Sequence, residues 1–98
     1  MFRPGSTLTV NNARAVLNAG LSALAAGQEK IDLADMSAVD SAAVATLLAW
    51  QRAARERGKP LVFVNFPANL QSLAELYGVA DLLNTASPAD HYAHPPRH

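Results

Sequence analysis

Asp40 and Ser41 stand side by side where a strand-like run gives way to an Ala- and Leu-rich one, and they are the residues best placed for chemistry. A side-chain oxygen at that position accepts a hydrogen bond from the free N–H groups of a helix start, so both are cap candidates. If Ser41 is the cap, Ser41→Ala costs about 1 kcal/mol; if it is not, its hydroxyl is open to a partner or a modifying group. Other candidates are weaker. Asp32 lies mid-strand between Ile31 and Leu33, where it reads as a carboxylate bonded to a neighbouring loop or, failing that, as a contact residue. Trp50, at helical spacing from Leu47, reads as core. His91 and His94 could share a helical face as metal ligands, but a solvated pair in the chain's tail is the plainer reading. A nucleophile elbow, Gly-x-Ser-x-Gly, is absent because Val39 and Ala43 flank Ser41 two residues away on each side. With no Gly-rich phosphate loop after a strand, no nucleotide site is indicated. The expectation is a protein that is not an enzyme and uses neither cofactor nor metal.

The elements that would position Ser41 follow from periodicity. Ser6 to Val10 alternates with β-branched residues and predicts a short strand. Asn11 and Asn12 are caps for a helix whose stripe is Ala13, Val16, Leu17, Gly20, Leu21 and Leu24, with Gly27 as its stop. Gly20 inside that stripe points to close packing against the sheet. Lys30 to Leu33 reads as a second strand, followed by a polar loop and a helix from Ser41 that turns Val44, Leu47, Leu48 and Trp50 inward. That helix ends in Arg55, Glu56 and Arg57 before Gly58 and Pro60; its basic residues suit the negative end of the helix dipole. Thr46, Ala49 and Ala53 form a row of small side chains that would let another helix approach, or would pack within the domain. Leu61 to Val64 is continuously apolar, which predicts a strand covered on both faces. Pro67 opens a third helix with Leu70, Leu73, Leu76 and Tyr77 inward, closed by Gly78 with Val79 in a Schellman ending. Leu82 to Thr85 reads as a last short strand or as helix continuing from Val79, with the strand preferred; Ser87-Pro88 reads as the start of a terminal helix and the rest as a frayed tail.

The order β-α-β-α-β-α predicts a mainly parallel sheet. At 98 residues, 50% hydrophobic and 16% charged, the chain is expected to be one folded domain, with a core at about 6–86 and a tail at 87–98. Eight basic and eight acidic residues cancel, so nothing marks a nucleic-acid or anionic-membrane surface. There are no cysteines, which excludes disulfides and thiol catalysis. The first residues lack the apolar core of a signal peptide, and no run reaches the roughly 20 residues of a spanning helix. A cytoplasmic protein is expected.

The run Ile31-Asp32-Leu33-Ala34, followed by Val39-Asp40-Ser41-Ala42-Ala43-Val44, resembles the signature of STAS domains, the domains of sulphate transporters and anti-sigma-factor antagonists. The segments Phe63 to Leu70, Leu73 to Val79 and Asp81 to Leu83 are most similar to the MlaB-type branch. That resemblance implies an α/β STAS-like fold and a cytoplasmic subunit of an ABC system that moves phospholipid between the membranes of Gram-negative bacteria. By that resemblance it would sit peripheral to the inner membrane through its ATPase partner. It also implies a role for Ser41, at the position MlaB proteins use against the ATPase and anti-sigma antagonists have phosphorylated by a serine kinase. Asp40, Ala42, Thr46 and Ala49 would surround it as a docking or phosphoacceptor surface. Two features depart from the family. Ala43 replaces its usual glycine, and its N-terminal strand pair is shortened to one strand, leaving a sheet edge open.

Overall fold

The computed structural model describes residues 1–83 and the backbone of Thr85 and Ala86. The expectations for Ser87-Pro88, His91, His94 and the tail lie outside the described residues. The elements are β1 (Thr7–Leu8), α1 (Ala13–Ala25), β2 (Lys30–Asp32), β3 (Ala38–Val39), α2 (Ser41–Glu56), β4 (Val62–Val64), α3 (Ala68–Leu76) and β5 (Thr85–Ala86). A turn of 3-10 helix, Ala80–Leu82, precedes β5. Every strand pairing is parallel: β2 and β5 flank β4, and β1 pairs with β3. The expected α/β, mainly parallel architecture is present.

Its details correct several readings. The first strand spans two residues and not Ser6 to Val10, because the chain turns at Thr9 and leaves Val10 74% exposed. The polar loop after β2 contains β3, held by Ser37 and Ala38 N–H groups donating to the Ser6 carbonyl at 2.8 and 3.0 Å. The edge of β2 is not bare either. Phe2 forms a parallel bridge to Ile31, receiving the Asp32 N–H at 2.8 Å. The last strand lies later than Leu82, since that residue ends the 3-10 turn.

The core centres on α2. Leu47 and Trp50 of α2 are fully buried with Leu8, Leu33, Phe63 and Leu70. Trp50 donates its indole N–H to the Leu17 carbonyl of α1 at 3.0 Å and meets Phe2 edge-on at 5.7 Å. Gly20 of α1 lies against that indole, where a Cβ would overlap the ring. Its close packing is therefore helix to helix, not helix to sheet. In β4 (Val62–Val64) and the residue before it, Phe63 and Leu61 are buried but Val62 and Val64 only partly. The two faces of that strand are thus unequally covered. In α3 the inward residues are Leu70, Leu73 and Ala74, whereas Leu76 and Tyr77 are 75% and 51% exposed. The apolar stripe turns away from the core in the helix's last turn. Gly58 and Gly78 take φ of +71°, and Lys59 and Val79 N–H then reach back to the Ala54 and Ala74 carbonyls at 3.1 and 2.9 Å. These are Schellman endings, expected at Gly78 and adopted at Gly58 as well, with glycine supplying the left-handed residue.

Candidate functional site

Two carboxylates end neighbouring segments and take up the same local geometry. Asp40, at the end of β3, accepts the Ala42 N–H through Oδ1 at 2.8 Å and so caps α2. Asp32, at the end of β2, accepts the Ala34 N–H through Oδ1 at 2.9 Å. In both cases the short side chain reaches the backbone two residues on, as Asp does at turns and helix starts.

Around Asp32 both carboxylate oxygens are engaged. Asn65 donates Nδ2 to Oδ1 at 2.9 Å, and Arg3 approaches Oδ2 at 3.2 Å while also pairing with Asp35 at 3.0 Å. Asn65 reaches this position from a left-handed backbone, φ 57°, which Asn tolerates better than most residues. The Asn65 and Ala34 hydrogen bonds, aided by Arg3, hold the Asp32 carboxyl below the usual carboxylate range, although its burial acts the other way. The loop-bonded reading of Asp32 describes its surroundings: the residue is 8% exposed and ties the β2, β4 and N-terminal segments together. Arg3 and Asn65 carry no sequence signal for this role. They meet Asp32 only through the fold.

Around Asp40 the arrangement is different. Its second oxygen accepts the Val10 N–H at 3.1 Å, which binds the turn before α1 to the mouth of α2. Asp40 is thus the cap, and Ser41 is the first residue of the helix. Among the described residues the Ser41 hydroxyl makes no hydrogen bond, and the side chain is exposed. The expectation that Ser41→Ala would remove a cap is overturned by this division of labour. Asn12, read as the cap of α1, makes no cap bond; its Oδ1 accepts Thr9 N–H at 2.9 Å and its Nδ2 donates to the Thr7 carbonyl at 2.9 Å.

The five residues named for the docking surface therefore separate. Ser41 is exposed, while Asp40, Ala42 and Ala49 are half-buried. Thr46 is 4% exposed and donates its hydroxyl to the Ala42 carbonyl at 2.8 Å, so it faces the interior. A threonine can face inward because that bond satisfies its hydroxyl within the helix. The row Thr46, Ala49, Ala53 is accordingly not an open one; Ala53 also packs on the core. What α2 does turn outward is Ser41, Ala45, Arg52, Arg55 and Glu56. Ala45, one turn beyond Ser41, was not read as a surface residue from sequence.

A small exposed hydroxyl at the mouth of a sixteen-residue helix, beside a strand end in a parallel sheet, is the arrangement that the family comparison addresses. Residues 5–84 match the family model described as "Mlab, STAS domain". The chain belongs to the MlaB-type STAS family. No curated protein matches it. Among solved structures, it is similar to the crystal structure of a Thermotoga maritima protein described as a candidate anti-sigma factor antagonist. That match has a TM-score of 0.69 at 15% identity and covers 89% of this chain and 78% of that one. At that identity the likeness is one of fold. STAS domains of this kind are generally non-enzymatic. No helix among the described residues is long and apolar enough to cross a membrane.

Proposed function

We propose that this STAS domain is the non-enzymatic cytoplasmic subunit of an ABC system that transports phospholipid and maintains outer-membrane lipid asymmetry. It docks on the system's ATPase subunit through Ser41 and the outer face of α2, and reaches the inner membrane only through that partner. Membership of the MlaB-type family supports the reading. The observation that carries it is the exposed Ser41 hydroxyl, unbonded among the described residues, at a helix mouth whose capping is already done by Asp40. A surface that needs no rearrangement to satisfy its own backbone can be desolvated by a partner at small cost. Ala42 and Ala45 beside Ser41 add no long side chain that docking would have to immobilise.

The test is to purify the chain with its native associates and identify them. An ABC ATPase, bound stoichiometrically and lost on Ser41→Asp, is the expected result. Recovery of a serine kinase that regulates a sigma factor would replace this reading with a second one, an anti-sigma-factor antagonist switched by phosphorylation of Ser41. One observation favours that second reading. A phosphate on Ser41, carrying about −1.5 to −2 charges, would sit in the first turn of α2, where the helix start favours negative charge by about 0.3–1 kcal/mol. The modified domain would stay folded and act by repelling its partner.

A further inference from the structure

Leu76, Tyr77 and Leu82 are exposed within seven residues of one another, where α3 ends and the 3-10 turn follows. Single apolar residues on a surface are ordinary, but a group of three marks a place of contact. The charges beside them are of one sign. Residues 60–86 contain no lysine or arginine, and Glu75 and Asp81 supply all of their charge. Both carboxylates are exposed and, with Gln71, Gly78 and Ala80, line one depression of about 300 Å³. Glu75 lies in the last turn of α3, where the helix dipole disfavours a negative charge. It accepts the Gln71 side-chain N–H at 2.9 Å, and neither carboxylate is ion-paired among the described residues. The domain supplies a glutamine there and no cation.

The end of α2 carries the opposite charge. Arg55, Arg57 and Lys59 are exposed around the helix stop, against Glu56 alone, and none of the three is ion-paired among the described residues. α2 and α3 pack side by side, and each runs back from the end of one parallel strand to the start of the next. Their C-terminal ends therefore emerge at the same end of the domain. Ser41 is at the other, about 24 Å from Arg57 along α2.

We infer that this end of the domain is self-complementary and binds a second copy of the chain. A two-fold axis lays the basic half of one protomer on the acidic, apolar half of the other, and symmetry forms the reverse contact. A basic side chain from α2 of one copy enters the depression between Glu75 and Asp81 of the other, while Leu76, Tyr77 and Leu82 supply the apolar area. Both signs of charge come from this one sequence, whose net charge is zero, so the contact requires no other kind of protein. Ser41 and the first turns of α2 stay open in such a dimer, so dimerisation and ATPase docking can fail separately.

Sedimentation equilibrium of the purified full chain, from about 10 µM to about 1 mM, measures the association over the affinities of a small interface. A monomer–dimer equilibrium is expected, weakened at least tenfold by Leu76→Ser combined with Tyr77→Ser. Two charge-reversed variants decide the pairing: Glu75→Lys with Asp81→Lys, and Arg55→Glu with Arg57→Glu. Each alone should be monomeric over that range, because like charges then face each other across the axis. Mixed in equal amounts they should form a heterodimer, since both contacts are again of opposite sign. Thermal melts of all variants should stay within a few degrees of the parent, because every altered residue is exposed. If a double reversal melts low, Asp81→Lys and Arg57→Glu alone, mixed in the same way, take its place. Ser41→Asp should dimerise like the parent, whatever it does to ATPase binding. A parent that is monomeric at about 1 mM overturns the inference, as does a dimer that survives either reversal. Folded reversed variants that fail to associate when mixed also overturn it, by showing that these charges do not meet.

Discussion

The inner face of α2 around Trp50 and its mouth at Ser41 are about two and a half turns apart on one helix, and they solve opposite problems. At Trp50 the indole is fully buried, its N–H bonded to Leu17 and its ring pressed on Gly20, with Phe2 at its edge. Nothing there can change size without moving two helices. At the mouth, Asp40 satisfies the backbone and Ser41 is left with no structural duty. The difference is one between residues held by packing and a residue held out for contact. Stability and binding should therefore respond to different substitutions. A set of variants graded by their effect on stability tests that separation.

The largest loss is expected from Trp50→Ala. Removing a fully buried Trp takes away its transfer energy and leaves a cavity between α1 and α2, a loss of about 3–5 kcal/mol. Chemical denaturation would show it as a lowered midpoint. A loss near zero would mean that α1 and α2 are not joined through this ring. Gly20→Ala approaches the same contact from the other side. The new Cβ would overlap the indole, and overpacking costs about 1–3 kcal/mol. Better helix propensity returns about 1 kcal/mol. A net loss of up to about 2 kcal/mol is expected; stabilisation would show that the helices can separate freely.

Acid should act on the fold through Asp32. The folded carboxyl of Asp32 titrates below its unfolded value, so it contributes stability above about pH 4 that is lost as pH falls through the folded value. Melts between pH 7 and pH 3 should therefore show a decline that Asp32→Asn flattens. An equally steep decline in the variant would assign the acid sensitivity elsewhere. At the mouth itself, Asp40→Ala removes the cap of α2 and the tether of Val10, and a loss of about 1 kcal/mol is expected from the cap. Asp40→Asn retains an oxygen for one of the two N–H groups and should recover part of it. Thermal melts on the pair check both.

How much of this could be read beforehand follows from the physics of each position. The strand–loop–helix placement of Ser41 was legible, because Asp-Ser before an Ala-rich run with apolar residues at helical spacing has few other solutions. Which of the two residues caps the helix was not. Asp and Ser cap about equally well, and the choice depends on a backbone turn set by β3, a two-residue strand too short to show any alternation. Thr46 was open between contact and packing within the domain, because small side chains suit both; its bond to the Ala42 carbonyl lets it face inward. Gly20 announced a close approach but not to what, since the partner lies thirty residues away in sequence. Leu76 and Tyr77 fitted the period of α3, but periodicity cannot tell where the neighbouring elements stop covering it. The Asp32 cluster was legible only at Asp32; Arg3 and Asn65 arrive from segments about thirty residues away on either side of it.

The smallest effect on stability is expected at Ser41, and the comparison depends on it most. Ser41→Ala removes a hydroxyl that makes no hydrogen bond among the described residues, so stability should stay within about 0.5 kcal/mol of the parent, as for most surface changes. Had Ser41 been the cap, the loss would be about 1 kcal/mol, which for a domain of this size is roughly 4–8 °C in Tm. Ser41→Asp places a second carboxylate next to Asp40. The helix start favours it by about 0.3–1 kcal/mol, and repulsion from Asp40 in water opposes it by a similar amount. The melting temperature should again stay within a few degrees. Binding should not. A carboxylate that the ATPase subunit must bury without a partner charge is expected to weaken the complex at least tenfold, about 1.4 kcal/mol. Ser41→Ala should weaken it less, because it leaves no charge to desolvate. A well-folded Ser41→Asp variant that binds the ATPase normally would remove Ser41 from the docking surface. A Ser41→Ala variant that melts several degrees low would return to it the structural duty that the geometry gives to Asp40.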